Sequence, residues 1–221
     1  MSERKTYVIL GLGRFGMTLA RELTEMHQDV IAIDKNIEVV EKISPYVANA
    51  LCLDYRDIDA LKAAGVKDAD VGVVSSGAGM DQGIIGLINL KELGIPKVVV
   101  KTFDSRSAEI MKKLGADDTI TPEKDMASWC AKKMISKHII ELFDVDKEHV
   151  MFELQPLPNW VGRSLVDLGL RSKFQLNVIG IKHEDTLYSN IDPNVKLNVD
   201  DELLVFGPKS IFADFNKLNN I

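Results

Sequence analysis

Residues 6–16, TYVILGLGRFG, constrain the fold more than any other stretch of the chain. A β-branched apolar run ends in Gly11, and Gly13 and Gly16 complete a G-x-G-x-x-G spacing. Gly11 permits a tight turn out of the strand, Gly13 lets backbone N–H groups approach a phosphate, and Gly16 lets the next helix pack closely on the strand. Phe15, Leu19, Leu23 and Met26 then recur at helical spacing and form one apolar stripe. A second β-branched run ends in Asp34, eighteen residues after Gly16, where a carboxylate can accept both ribose hydroxyls and would repel a 2′-phosphate. NADP is therefore disfavoured. Two uses stay open: a cofactor held for redox chemistry, or a nucleotide that is only sensed.

The alternation continues. β-Branched runs at 6–10, 29–34, 47–53, 70–75, 97–101 and 118–120 are separated by helical patterns near 37–44, 57–64, 80–93 and 105–114. Gly65, Gly94 and Gly115 stand where the last three helices should end. The expected fold class is α/β, a Rossmann-like doubly wound parallel sheet over residues 1–120, with its ligand edge at the carboxyl ends of the strands. At that edge, short side chains in SSGAGMD (75–81) leave room near Gly77 and Ala78. Asp54 falls just beyond the third strand, either near an adenine amino group or as an exposed turn residue. Phe15 and Lys101, at the first helix start and the fifth strand end, complete the candidate set with Arg14.

Residues 121–143 read as one long crossover helix, with Thr121 as cap, Pro122 at its first position, and Glu123 and Asp125 in its first turn. The finished sheet leaves it nothing to cover, so it is expected to reach a partner subunit. Residues 144–221 change character to a small α+β lobe, with strands at 150–155, 175–182, 185–189 and 202–207 and helical pieces near 163–168 and 209–218. A lobe this small is expected to pack against a copy of itself.

Composition narrows the function. The chain is 46% hydrophobic and 27% charged, as an ordinary globular protein is. Its net charge of −6 gives no electrostatic reason to bind nucleic acid. Residues 1–140 are nearly neutral, with 19 basic and 20 acidic side chains, whereas residues 141–221 carry 8 against 13. No apolar stretch approaches the roughly 18–20 residues that cross a bilayer. MSERKTYVIL shows no secretory h-region, so a cytoplasmic protein is expected, reaching a membrane only through a partner. Cys52 and Cys130 are too far apart for a CxxC motif, and His27, His138, His149 and His183 lack metal-ligand spacing. No YxxxK or comparable acid–base signature accompanies the glycines. The chain has a dehydrogenase's cofactor half without a catalytic half, and no enzyme activity is expected.

VILGLGRFG, VIAID, LGIPKVVVK, KKLGADDTITPEKDMA, LVDLGLRSKFQLNVIGIK and DDELLVFG, in that order, resemble the RCK family, the regulators of potassium conductance, in its bacterial Ktr/Trk-type cytosolic subunits. The resemblance covers the whole chain. It implies a Rossmann N-lobe, a small C-lobe, homodimers joined through the crossover helix, and an octameric ring beneath an integral-membrane potassium-translocating subunit. ATP and ADP would compete for the N-lobe, with ATP favouring conduction. Gly11, Gly13 and Gly16 would hold phosphates and Asp34 the ribose, while Asp54 and Ala78 would border the adenosine. Arg14 would reach a γ-phosphate, and Glu123 would help bind a divalent cation, Mg²⁺ or Ca²⁺. In the C-lobe, Arg171 and Asn177 would pair with phosphate and base of cyclic di-AMP, and Leu165, Leu170, Phe174, Val178, Ile179 and Pro193 would line its pocket. Leu170 and Phe174 stand where the family often carries Ile and Tyr. An NAD(H)-dependent small oxidoreductase and an NAD(H)-sensing module remain the alternatives, because the same glycines and ribose acid serve either cofactor.

Overall fold

The computed structural model describes residues 4–75, 79–135 and 138–212. The chain divides into two compact units between Lys124 and Asp125.

In the first unit, β1 (Thr6–Leu10) is followed by α1 (Arg14–Glu25), β2 (Asp29–Asp34), α2 (Ile37–Ile43), β3 (Asn49–Cys52), α3 (Ile58–Ala63) and β4 (Val71–Val74). Then come α4 (Met80–Glu92), β5 (Lys97–Lys101), α5 (Ser105–Lys113) and β6 (Asp118–Ile120). β1, β2, β4, β5 and β6 carry β-branched residues, whereas β3 is Asn-Ala-Leu-Cys; Asn36, Asp57 and Asp104 accept backbone N–H groups at the starts of α2, α3 and α5. All six strands are parallel in the order β3-β2-β1-β4-β5-β6, the doubly wound arrangement. Val8, Ile9 and Leu10 are fully buried because helices cover both faces of the central strand. Val8 and Leu10 join one core with Leu87, Leu90 and Val100, whereas Ile9 joins another with Ala20, Val30 and Ile43. Strand order reverses between β1 and β4, opening a crevice at their carboxyl ends.

In the second unit the expected helix over 121–143 is corrected. α6 (Pro122–Ile135), which begins at the end of the first unit, stops eight residues early, and β7 (Ile139–Asp144) takes the place of its last turns. Pairing with β8 (His149–Leu154) decides the matter, since Leu142 and Phe143 lie opposite Phe152 and Met151 in an antiparallel ladder. Two short helices, α7 (Leu165–Leu168) and α8 (Leu170–Phe174), precede β9 (Asn177–His183), β10 (Thr186–Tyr188) and β11 (Glu202–Pro208). Only the first of these helices is anticipated by the sequence. Near 209–218 a 3₁₀ turn covers Lys209–Phe212, and the rest of that expectation lies outside the described residues. The five strands form an antiparallel sheet, β10-β9-β11-β8-β7, over a core centred on fully buried Trp160, Phe152, Leu154 and Leu157.

Candidate functional site

The crevice is built by the glycine turn. Gly11 has φ +90°, and its N–H donates to the Ile33 carbonyl at 2.8 Å, turning the chain across the end of β2. At Gly16 the constraint is space, since a Cβ there would lie 2.1 Å from the Gly11 carbonyl oxygen. Asp34 braces the turn: its Oδ2 accepts the Leu12 N–H at 2.7 Å and its Oδ1 the Asn36 N–H at 2.9 Å. The ribose acid expected from the sequence thus stands beside the glycine loop with its carboxylate aimed at backbone donors.

α1 differs from its neighbours at its first turn. It has no side-chain cap and no acidic residue there; α2, α3 and α5 are each capped by Asn or Asp, and α4, which also lacks a side-chain cap, carries Asp81 in its first turn. Its leading N–H groups are left to an external anion, which the positive end of the helix dipole favours. Arg14 begins the helix, exposed, with no hydrogen bond or ion pair for its guanidinium among the described residues. Nearby, Lys101 Nζ lies 2.6 Å from Glu123 Oε1 and 5.9 Å from the ring centroids of Phe15 and Phe103. The Lys101 side chain is 10% exposed and that of Glu123 64%. The Lys101 ammonium holds the Glu123 carboxyl below the usual carboxylate range, with a smaller pull from Arg14. Arg14, Phe15, Lys101 and Glu123 are therefore one cluster beside the start of α1.

The remaining N-lobe residues divide. Asp54 lies beyond β3, but its carboxylate takes the Arg56 Nε–H at 2.9 and 3.0 Å, and this pairing pulls it to about 2. The Asn89 side chain, from α4, donates to the Tyr55 and Arg56 carbonyls and fixes that turn. Gly77 and Ala78 lie outside the described residues. Among the described residues no three His, Cys, Asp or Glu side chains gather as a metal site, around Glu123 or elsewhere.

In the second unit a cavity of about 240 Å³ is lined by Leu165, Val166, Leu170, Arg171, Leu176, Asn177, Val178 and Pro193. Six of the eight expected residues meet there. A Ser164–Asp167 capping box sets α7, and the Val166 N–H donates to the Pro193 carbonyl at 3.2 Å, drawing the Pro193 loop onto the cavity. Arg171 sits exposed at the rim with no ion-pair partner among the described residues. Two of the expected residues are not in this lining: Phe174 packs against the core of the unit, and Ile179 is 39% exposed. Ile179 is the extra residue of a β-bulge, lying between Val178 and Gly180, which sit opposite the adjacent residues Val205 and Leu204 of β11. Val166 and Leu176 were missed. Neither carries a signal in the sequence: Val166 is recognised only by its 60% exposure on a four-residue helix beside the Pro193 loop.

No helix among the described residues is long and apolar enough to cross a membrane. Across its length the chain is 29% identical over 217 residues to the Ktr system potassium uptake protein A of Vibrio alginolyticus, covering 98% of each. It is 28% identical over 215 residues to the Ktr system potassium uptake protein C of Bacillus subtilis, covering 97% of each. Among solved structures it superposes on the GsuK channel bound to NAD with a TM-score of 0.61 at 15% identity, over 99% of this chain and 40% of that one. The TrkA-N domain model matches residues 7–122 and the TrkA-C domain model residues 149–220. With the two models meeting the Rossmann unit and the antiparallel unit in turn, the chain belongs to the TrkA-N/TrkA-C family, the two-lobed RCK regulators that its motifs resemble.

Proposed function

We propose that this chain is the nucleotide-gated regulatory subunit of a Ktr-type potassium uptake system, reading an adenine nucleotide by its phosphates. The observation that carries the reading is the start of α1, without a side-chain cap or an acidic residue in its first turn, beside two cations, Arg14 and Lys101. The near full-length similarity to Ktr proteins supports the transport context. Gly11, Gly13 and Gly16 hold the diphosphate, Asp34 the ribose, and Arg14 adds charge-assisted bonds that only a third phosphate can use. Glu123 meets a divalent cation, Mg²⁺ or Ca²⁺, completed by nucleotide phosphate and a second subunit. The subunits form homodimers and an octameric ring on the cytoplasmic side of a membrane-embedded potassium-translocating partner. Cyclic di-AMP occupies the Arg171 cavity, whose apolar lining and unpaired guanidinium suit a base and a phosphate.

Calorimetric titration tests the reading. Arg14→Ala should weaken ATP about tenfold more than ADP, the value of roughly one charge-assisted contact. Equal losses for both nucleotides would remove the γ-phosphate role. The NAD-bound channel of similar fold supports a second reading, an NAD(H)-sensing module. NADH binding more tightly than ATP and ADP would favour that reading, and steady NADH oxidation with a small carbonyl substrate would make the chain an oxidoreductase.

A further inference from the structure

Ser75 follows β4 at the point where strand order reverses. Its side chain is buried, 3% exposed, and among the described residues its Oγ is the one buried side-chain polar atom with no hydrogen-bond partner. The Ser75 N–H donates to the Leu10 carbonyl at 2.8 Å, so the residue is pinned beside β1 where the chain enters the glycine turn. A Cβ on Gly16 would lie 3.0 Å from Ser75 Oγ, which puts the hydroxyl in the narrow gap between β4 and the first turn of α1.

A buried hydroxyl without a partner is destabilising. Alanine would pack the same gap without that cost, so the oxygen implies a partner from outside the chain. The uncapped N-terminus of α1 favours an anion in the same gap. We propose that Ser75 is a nucleotide-binding residue whose Oγ–H donates to the diphosphate, directly or through one water. The inference rests on the nucleotide reading above and extends it to a side chain on β4 rather than on the glycine turn.

The experiment compares the full-length wild type with Ser75→Ala and Ser75→Cys by thermal shift and calorimetry, using ADP and adenosine as probes. Without ligand, Ser75→Ala should melt at or above the wild-type temperature, because the orphan hydroxyl is gone. Its ADP affinity should fall about tenfold while adenosine affinity stays unchanged. Ser75→Cys, with a weak donor in place of the hydroxyl, should fall between the two. Unchanged ADP affinity in Ser75→Ala overturns the assignment. So does an equal loss for adenosine, which would place the effect in the fold. A wild type that binds ADP no better than adenosine overturns the nucleotide reading itself, and Ser75 with it.

Discussion

Gly16 and Asp54 show how differently two site residues can be constrained. Gly16 is fixed by a backbone atom, since the Gly11 carbonyl would stand 2.1 Å from any Cβ. Gly16→Ala must therefore shift the glycine turn and should cost about 1–3 kcal/mol, read as a lower urea midpoint together with lost nucleotide binding. Asp54 is fixed by charge. Its carboxyl is pulled to about 2, chiefly by the hydrogen bond from the Arg56 side chain, so its folded value lies below the ordinary 3.8. The pair's stabilisation is then fully present above about pH 4 and lost as pH falls through about 2. Both side chains are more than one-third exposed, which keeps the contribution below about 1 kcal/mol. The urea-midpoint difference between wild type and Asp54→Asn should be largest near neutral pH, shrink as pH falls towards about 2 and vanish below it. A difference that persists at the acid end would mean the carboxylate acts otherwise. The sequence position of Asp54 spoke of adenine, but its partner two residues away was legible only in space.

At the scale of elements, the parallel sheet was readable because five of its six strands carry β-branched residues and three of its helices end on a glycine. Gly65, Gly94 and Gly115 do take the left-handed backbone that ends a helix. β7 was not readable. No Gly or Pro interrupts 123–143, and Ile139, Ile140 and Leu142 suit a helix as well as a strand. The ladder with β8 settles it, and that pairing is tertiary information. α8 was hidden in the same way, as a five-residue helix bounded by Gly169 and Gln175, both in left-handed conformation. The C-lobe cavity was legible only through family resemblance, since Leu165, Leu170 and Val178 look like ordinary core residues in isolation. If it takes cyclic di-AMP, titration of Arg171→Ala should show at least tenfold weaker binding, with the melting temperature unchanged because Arg171 is exposed. Undiminished affinity would leave the cavity without that ligand.

As a whole molecule, the chain leaves apolar side chains bare in both units. Ile85, Ile88 and Phe103 are exposed in the first, and Met126, Met134 and Val166 in the second. Light scattering should give a mass of several 24.6 kDa chains, and eight on the proposed reading. Glu123→Gln should leave ATP binding in place but abolish the dependence of assembly on Mg²⁺ or Ca²⁺. An unchanged divalent response would remove Glu123 from the ion. Order of assembly was not legible in the sequence, because exposed Met and Ile residues carry no address for the partner they meet.

The Lys101–Glu123 pair has one further consequence. A carboxylate tethered to the same chain acts as a resident rival for the site's lysine, present at high effective concentration however little nucleotide surrounds it. Phosphate oxygens must outbid it before Lys101 can turn to them, and a single phosphate is poorly equipped to do so. On the proposed reading the pair sets a threshold, since a visitor that brings more negative charge draws Lys101 from the Glu123 carboxylate more readily than a singly charged anion does.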